Sequence, residues 1–167
     1  DGLVFVGDLG GRGPDSRAVL RTGRSRGARS VRGNHEQRLL DARAGSKTFA
    51  AGHAELAREL DDEDWEQIEA LPTYLHLPEH ELAIVHAGVV PGIAIDAQDP
   101  WVLMHVRSID PDGAPSSARK PPFWATRYAG PPHIAFGHDA VTGLQVEAWA
   151  TGLDTGCVYG KELSALV

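Results

Sequence analysis

Short apolar runs recur along the chain, and each stops at a glycine or a polar group. Leu3-Val4-Phe5-Val6 ends at Gly7, Leu82-Ala83-Ile84-Val85 at His86, and Ile134-Ala135-Phe136 at Gly137. Runs of this length read as buried strands that deliver the next side chains to one sheet edge. Between the first two, Pro14-Asp15-Ser16 opens a helix, with the proline placed early where its missing N–H costs nothing. Gly23 to Gly27 reads as a loop, and Ala28 to Val31 as a short strand leading to Gly33. A helical region follows over about 36–71, broken near Gly45 and again near Gly52. Within it Leu56, Leu60, Trp65 and Ile68 recur at near-helical spacing, and Pro72 ends it.

The second half is richer in strands. Tyr74 to Leu77 and Leu82 to Val85 are expected to be neighbours joined by a turn at Pro78-Glu79-His80. Residues 110–122 hold four prolines with Gly113, Ser116 and Ser117, the composition of a loop or lid. Segments 145–158 and 162–167 are expected to close the sheet as a hairpin near Tyr159-Gly160. The pattern as a whole predicts one α/β domain over 1–167, with a helical insertion and no linker.

Composition narrows the function only by exclusion. The chain has 167 residues, long enough to bury a sizeable core. A net charge of −7 argues against a general nucleic-acid or membrane-surface binder. The single cysteine, Cys157, excludes an internal disulfide, and no Cys-rich zinc motif is present. No apolar stretch approaches the ~20 residues of a spanning helix, so a reducing, cytoplasmic setting is expected. Arg17, Arg21, Arg24, Arg26, Arg29 and Arg32 cluster in sequence. They form either a solvated helix face or a surface that steers a polyanion.

The chemistry lies in four glycine-flanked segments: Gly7-Asp8-Leu9-Gly10-Gly11-Arg12-Gly13, Gly33-Asn34-His35-Glu36, His86-Ala87-Gly88 and Gly137-His138-Asp139. Any one of them has a bland reading, since Asp8 or Asn34 alone is a turn residue and His86 or His138 alone a strand-end histidine. Together they gather oxygen and imidazole donors suited to manganese, iron or zinc, and point to metal-assisted hydrolysis. His53, His76, His80, His105 and His133 sit in no such segment and read as structural. Trp65 and Trp101 read as core or helix-packing residues, and Trp124 as core or as lining of a substrate groove.

In order, spacing and flanking residues, these segments resemble the calcineurin-like metallophosphoesterases of the phosphoprotein phosphatase type. Their motif series runs GDxHG, GDxxDRG, GNHE, HxG and GH. Ile134-Ala135-Phe136-Gly137-His138, Leu153-Asp154-Thr155-Gly156-Cys157, Met104-His105-Val106-Arg107 and Phe123-Trp124 look like the bacterial symmetrical diadenosine tetraphosphatases. The resemblance implies a β-sandwich flanked by helices, with the metal site at strand ends. It implies two divalent metals in the family, with Asp8 bridging them and Asn34, His86 and His138 completing the second site. His35 would protonate the leaving oxygen, Arg12 would grip a phosphate oxygen, and Arg107 is a second candidate phosphate contact. The implied reaction is hydrolysis of a phosphorylated small molecule or dinucleotide, foremost diadenosine tetraphosphate cut symmetrically to ADP. A protein serine/threonine phosphatase or a non-catalytic nucleotide- or partner-binding pseudoenzyme is the alternative.

The chain departs from the family pattern twice. The GDxHG motif, which belongs upstream, is not in the sequence, so about 25–35 residues forming a βα unit are expected to precede residue 1. Without that first strand the sheet is expected to be unstable alone. Gly11 stands where the family has an aspartate that pairs with the histidine corresponding to His35. A lower rate rather than a changed reaction is expected, unless Glu36 or Asp139 takes over the pairing.

Overall fold

A computed structural model describes residues 2–167. The first strand, β1 (Val4–Phe5), runs into the loop that holds Asp8, and helix α1 (Ser16–Ser25) follows. Strand β2 (Arg29–Ser30) then returns to pair parallel with β1, Val4 opposite Arg29 and Phe5 opposite Ser30. Three helices come next, α2 (Asn34–Arg43), α3 (Ala51–Glu59) and α4 (Asp62–Glu69). Strands β3 (Tyr74–Leu77) and β4 (Leu82–Val85) form an antiparallel pair joined by a 3₁₀ turn. Helix α5 (Pro100–His105) precedes the small pair β5 (Ser108–Ile109) and β6 (Pro115–Ser116). The chain closes with β7 (His133–Phe136), β8 (Gln145–Val146) and β9 (Ala150–Gly152).

The main sheet has the order β3-β4-β7-β9-β8. Its centre, β4, β7 and β9, is parallel, and both edge strands run antiparallel to their neighbours. Side chains alternate across it with the period of two that a strand imposes. Ile84 and Ala135 face one way, where Val4, Val6 and Val31 of the small sheet pack with Leu75, Leu77 and Leu82. Ala83, Val85, Ile134 and Phe136 face the other way, against Val102, Leu103, Val106 and Trp124. Phe5, out of phase with Val4 and Val6, turns instead to Leu20, Leu39, Leu56, Leu60, Trp65 and Ile68 of the helices. The layers are therefore helices, small sheet, large sheet and α5 with its flanking loops. This is the α/β architecture that the resemblance implied.

Several boundaries differ from the sequence expectation, each for a local reason. Helix α1 runs through Gly23, because that glycine is buried under Phe5 and a Cβ there would meet the ring at 3.1 Å. The turn comes at Gly27, whose φ of +63° is left-handed. Pro14 lies before the cap rather than in the helix, and Asp15 accepts from the Ala18 N–H. The second helical break falls at Leu60-Asp61 instead of Gly52, because Asp61 caps α4 by accepting from the Asp64 N–H. Segment 110–122 contains one strand, β6, paired with β5. The closing hairpin is β8–β9, not 145–158 with 162–167. Beyond it Gly156 and Gly160, both left-handed, curl the chain around Cys157–Tyr159, and one bridge joins Gly156 to Glu162. Among the described residues no helix is long and apolar enough to cross a membrane.

Candidate metal centre

Strands β1, β2, β4 and β7 all end at one side of the molecule, and each hands a polar residue to the same point. The carboxylate of Asp8 follows β1, and Asn34 and His35 open α2 just after β2. His86 follows β4 and His138 follows β7. Asp8, His86 and His138 each bring one donor atom within 4.8 Å of the other two. Around His86 Nε2, Asn34 Oδ1 lies at 3.0 Å, His138 Nδ1 at 3.1 Å and Asp8 Oδ2 at 3.3 Å.

The protons at this point can be placed from the partners. His86 Nδ1 is 2.7 Å from the Val6 carbonyl, which only accepts, so Nδ1 carries the hydrogen. In the neutral ring Nε2 then offers a lone pair to the three atoms around it, two of them oxygens. One ring proton cannot serve three partners at once, whereas a divalent cation can. A backbone carbonyl fixing the far nitrogen is also the usual way an imidazole is oriented for a metal. Burial alone would lower the His86 pKa, but the Asp8 carboxylate and the hydrogen bonds to Asp8 and Val6 outweigh it and push it up. The site is built for positive charge. His138 is driven the other way, to about 3, by burial and by the neighbouring His86 and Arg107, so it stays neutral. The donor set fits a manganese, iron or zinc ion.

The loop carrying Asp8 is held in an unusual shape. Gly7 has φ +89° and Asp8 φ +56°, the latter rare for a residue with a side chain. Glu36, fully buried, fixes this shape. Its Oε2 accepts from the N–H groups of Asp8 and Gly33, each at 2.9 Å, and its Oε1 from Gly10 at 3.1 Å. Burial and the nearby Asp8 charge raise the Glu36 pKa to about 6 against the pull of those N–H groups. Asp8 Oδ1 in turn accepts from the His35 N–H at 3.0 Å, a carboxylate on the first turn of α2. Gly33 has no alternative here, since a Cβ would collide with the Asp8 carboxylate.

His35 lies on the rim, with Nδ1 3.2 Å from the Gly10 carbonyl and Nε2 3.9 Å from Asp8 Oδ2. Neither acid considered as its partner reaches it. Glu36 is committed to three backbone donors, and Asp139 to Arg119 at 2.7 Å and Thr142 at 2.7 Å. Arg12 Nε sits 3.5 Å from His35 Nε2, and its guanidinium lies 5.7 Å from the Tyr159 ring centre. Arg107 lies beside His138 in a narrow cleft, donating to the Ser117 carbonyl at 3.0 Å with Asp139 3.9 Å away.

Of the other residues, some fall as expected and some do not. Trp101 is 43% exposed rather than core, stacked on His105 at 5.3 Å and 9°, and His105 lies 6.4 Å from the His138 ring. Trp124 is core, with Nε1 donating to the Ala87 carbonyl at 3.1 Å. Arg17, Arg21 and Arg24 are paired to Asp61 at the cap of α4 and to Glu63 and Asp64 within it, which takes them out of any polyanion-steering surface. Two residues by the site escaped the sequence reading. The backbone role of Glu36 was half visible, because a glutamate three residues into a helix is one arm of a capping box. His53 left no local signal, yet its ring centre lies 4.9 Å from that of His35.

Residues 1–163 match the calcineurin-like phosphoesterase family. A bis(5'-nucleosyl)-tetraphosphatase of the asymmetrical PrpE kind from Oceanobacillus iheyensis is 32% identical, over 98% of this chain and 72% of its own length. A symmetrical bis(5'-nucleosyl)-tetraphosphatase from Janthinobacterium is 31% identical, over 98% of this chain and 81% of its own. A crystal structure with a provisional diadenosine tetraphosphatase assignment superimposes with a TM-score of 0.87 at 34% identity, covering 96% of this chain and 73% of that one.

Proposed function

The chain belongs to the calcineurin-like phosphoesterases, and from that premise we propose that it hydrolyses a dinucleoside tetraphosphate with a divalent metal. The observation that carries this reading is the meeting of Asn34, His138 and Asp8 around a His86 nitrogen whose proton is held on the other side of the ring. Asp8, Asn34, His86 and His138 hold the ion. When bound it supplies Lewis-acid polarisation of a phosphoryl oxygen and an activated water.

The remaining steps fall to the chain's own groups. Protonated on both nitrogens, His35 keeps Nδ1–H on the Gly10 carbonyl and passes the Nε2 proton to the leaving oxygen, which leaves the neutral Nδ1–H ring. Arg12, next to that nitrogen, offers a forked set of donors to a phosphate. Arg107 is a second phosphate contact on the His138 side. The exposed Trp101, stacked on the half-buried His105, supplies an aromatic face for a nucleobase beyond the phosphates.

Two cleavage positions compete. The Asp154-Thr155-Gly156-Cys157 stretch supports symmetrical cleavage to two ADP. The asymmetrical PrpE name of a relative at 32% identity supports cleavage to ATP and AMP. Manganese and diadenosine tetraphosphate, with products resolved by chromatography, separate them. ADP alone means the central bond is cut, and ATP with AMP means an outer one. Complete absence of metal-dependent hydrolysis overturns the proposal.

A further inference from the structure

We propose that His53 is a positioning residue for His35, a second imidazole set by α3 in the space that Gly11 leaves open. This rests on the reading of His35 as proton donor. Helix α3 meets the 10–13 loop at three points. A Cβ on Gly10 would lie 2.7 Å from Leu56 Cδ2, and a Cβ on Gly52 would lie 2.7 Å from the Gly11 carbonyl oxygen. A Cβ on Gly11 would lie 2.7 Å from His53 Nε2 and 3.1 Å from His35 Nδ1. The two imidazole nitrogens therefore flank one small volume, where no side chain at position 11 intervenes. Any larger residue at 11 would also be strained, because φ there is +85°.

A plain space-filling role accounts poorly for His53. The residue is 6% exposed, and Nε2 is buried without a hydrogen-bond partner. A leucine or phenylalanine would fill the space without leaving a buried polar atom unsatisfied, which is destabilising. Burial together with the charges of His35 and Arg38 from α2, and of Arg12, lowers the His53 pKa, against the pull of Asp8. His53 is thus neutral and able to present a lone pair at Nε2. A small turn of His35 brings its Nδ1–H from the Gly10 carbonyl towards that lone pair. With that lone pair present the turned ring keeps Nδ1 protonated and Nε2 aimed at the centre; without it, the turned ring can carry its neutral-state proton on Nε2 instead.

Three variants separate positioning from filling. His53→Phe keeps the ring and removes the acceptor, His53→Gln places an acceptor near the Nε2 position, and His53→Ala removes both. In the metal-free protein, long-range ¹H–¹⁵N spectra read the His35 tautomer directly. His53→Phe and His53→Ala should raise the fraction protonated on Nε2, and His53→Gln should restore the parent pattern. An unchanged His35 tautomer in His53→Phe overturns the proposal.

With manganese, phenyl phosphate needs leaving-group protonation far more than 2,4-dinitrophenyl phosphate does. His53→Phe should lower kcat about tenfold on the first and hardly on the second, with KM little changed. Equal losses on both substrates, or rescue by Phe and not Gln, also overturn it. His35→Ala separates this from failure of the parent reading. If it shows no leaving-group bias, His35 is not the donor; if it does while the His53 variants do not, only the His53 role fails.

Discussion

Three backbone N–H groups depend on one buried carboxyl, so Glu36 is the residue whose loss should propagate furthest. Glu36→Ala leaves the N–H groups of Asp8, Gly10 and Gly33 without their partner and frees Asp8 from its left-handed backbone. The expected cost is about 3 kcal/mol or more, read by urea unfolding. Manganese affinity measured by calorimetry should fall with it, although Glu36 lies outside the donor set. Wild-type affinity in a folded Glu36→Ala protein would contradict this account. The five residues Asp8, Asn34, His35, His86 and His138 could be picked out in the sequence because each lies within two residues of a glycine in one of the four segments, three of which follow an apolar run. His53 was not, because what it meets is an absent side chain at Gly11, on the far side of α1, β2 and α2. Local pattern carries no record of such a contact.

Helix α4 is tied to α1 through a fully buried aspartate. Burial alone would raise the Asp64 carboxyl, but hydrogen bonds from Arg21 and Arg17 outweigh it and hold its pKa at about 2 instead of 3.8. Because the folded pKa is the lower one, this stabilisation is present above pH 3.8 and lost as pH falls towards about 2. Asp64→Asn should remove about 2 kcal/mol at neutral pH and flatten acid unfolding across that window, as followed by circular dichroism. The existence of these helices was readable from Leu56, Trp65 and Ile68, whereas their ends were not. Gly52 marks a close approach to the Gly11 carbonyl rather than a stop, and only the packed structure distinguishes the two. On α5, Trp101→Ala should raise KM for the dinucleotide about tenfold, the usual scale of one lost base stack, and leave phenyl phosphate unaffected. Equal changes on both substrates would return Trp101 to a packing role.

The layers meet at the candidate metal centre, since its residues come from the small sheet, the first turn of α2 and two central strands of the large sheet. A cation there binds only the folded arrangement and stabilises it by mass action. Chelation of a manganese-loaded sample should lower Tm by about 10 °C, measured by calorimetry. A Tm that ignores chelator would dissociate the centre from the fold. The spacing of the donors has a further effect on the unfolded chain. Asn34 and His86 are 52 residues apart, and His86 and His138 are another 52 apart. In the unfolded chain, closing one loop of that length costs about 4 kcal/mol of chain entropy, so the donors meet only once the fold has brought them together. An ion bound there would therefore act as a reporter of the assembled fold, with no counterpart site in the unfolded chain.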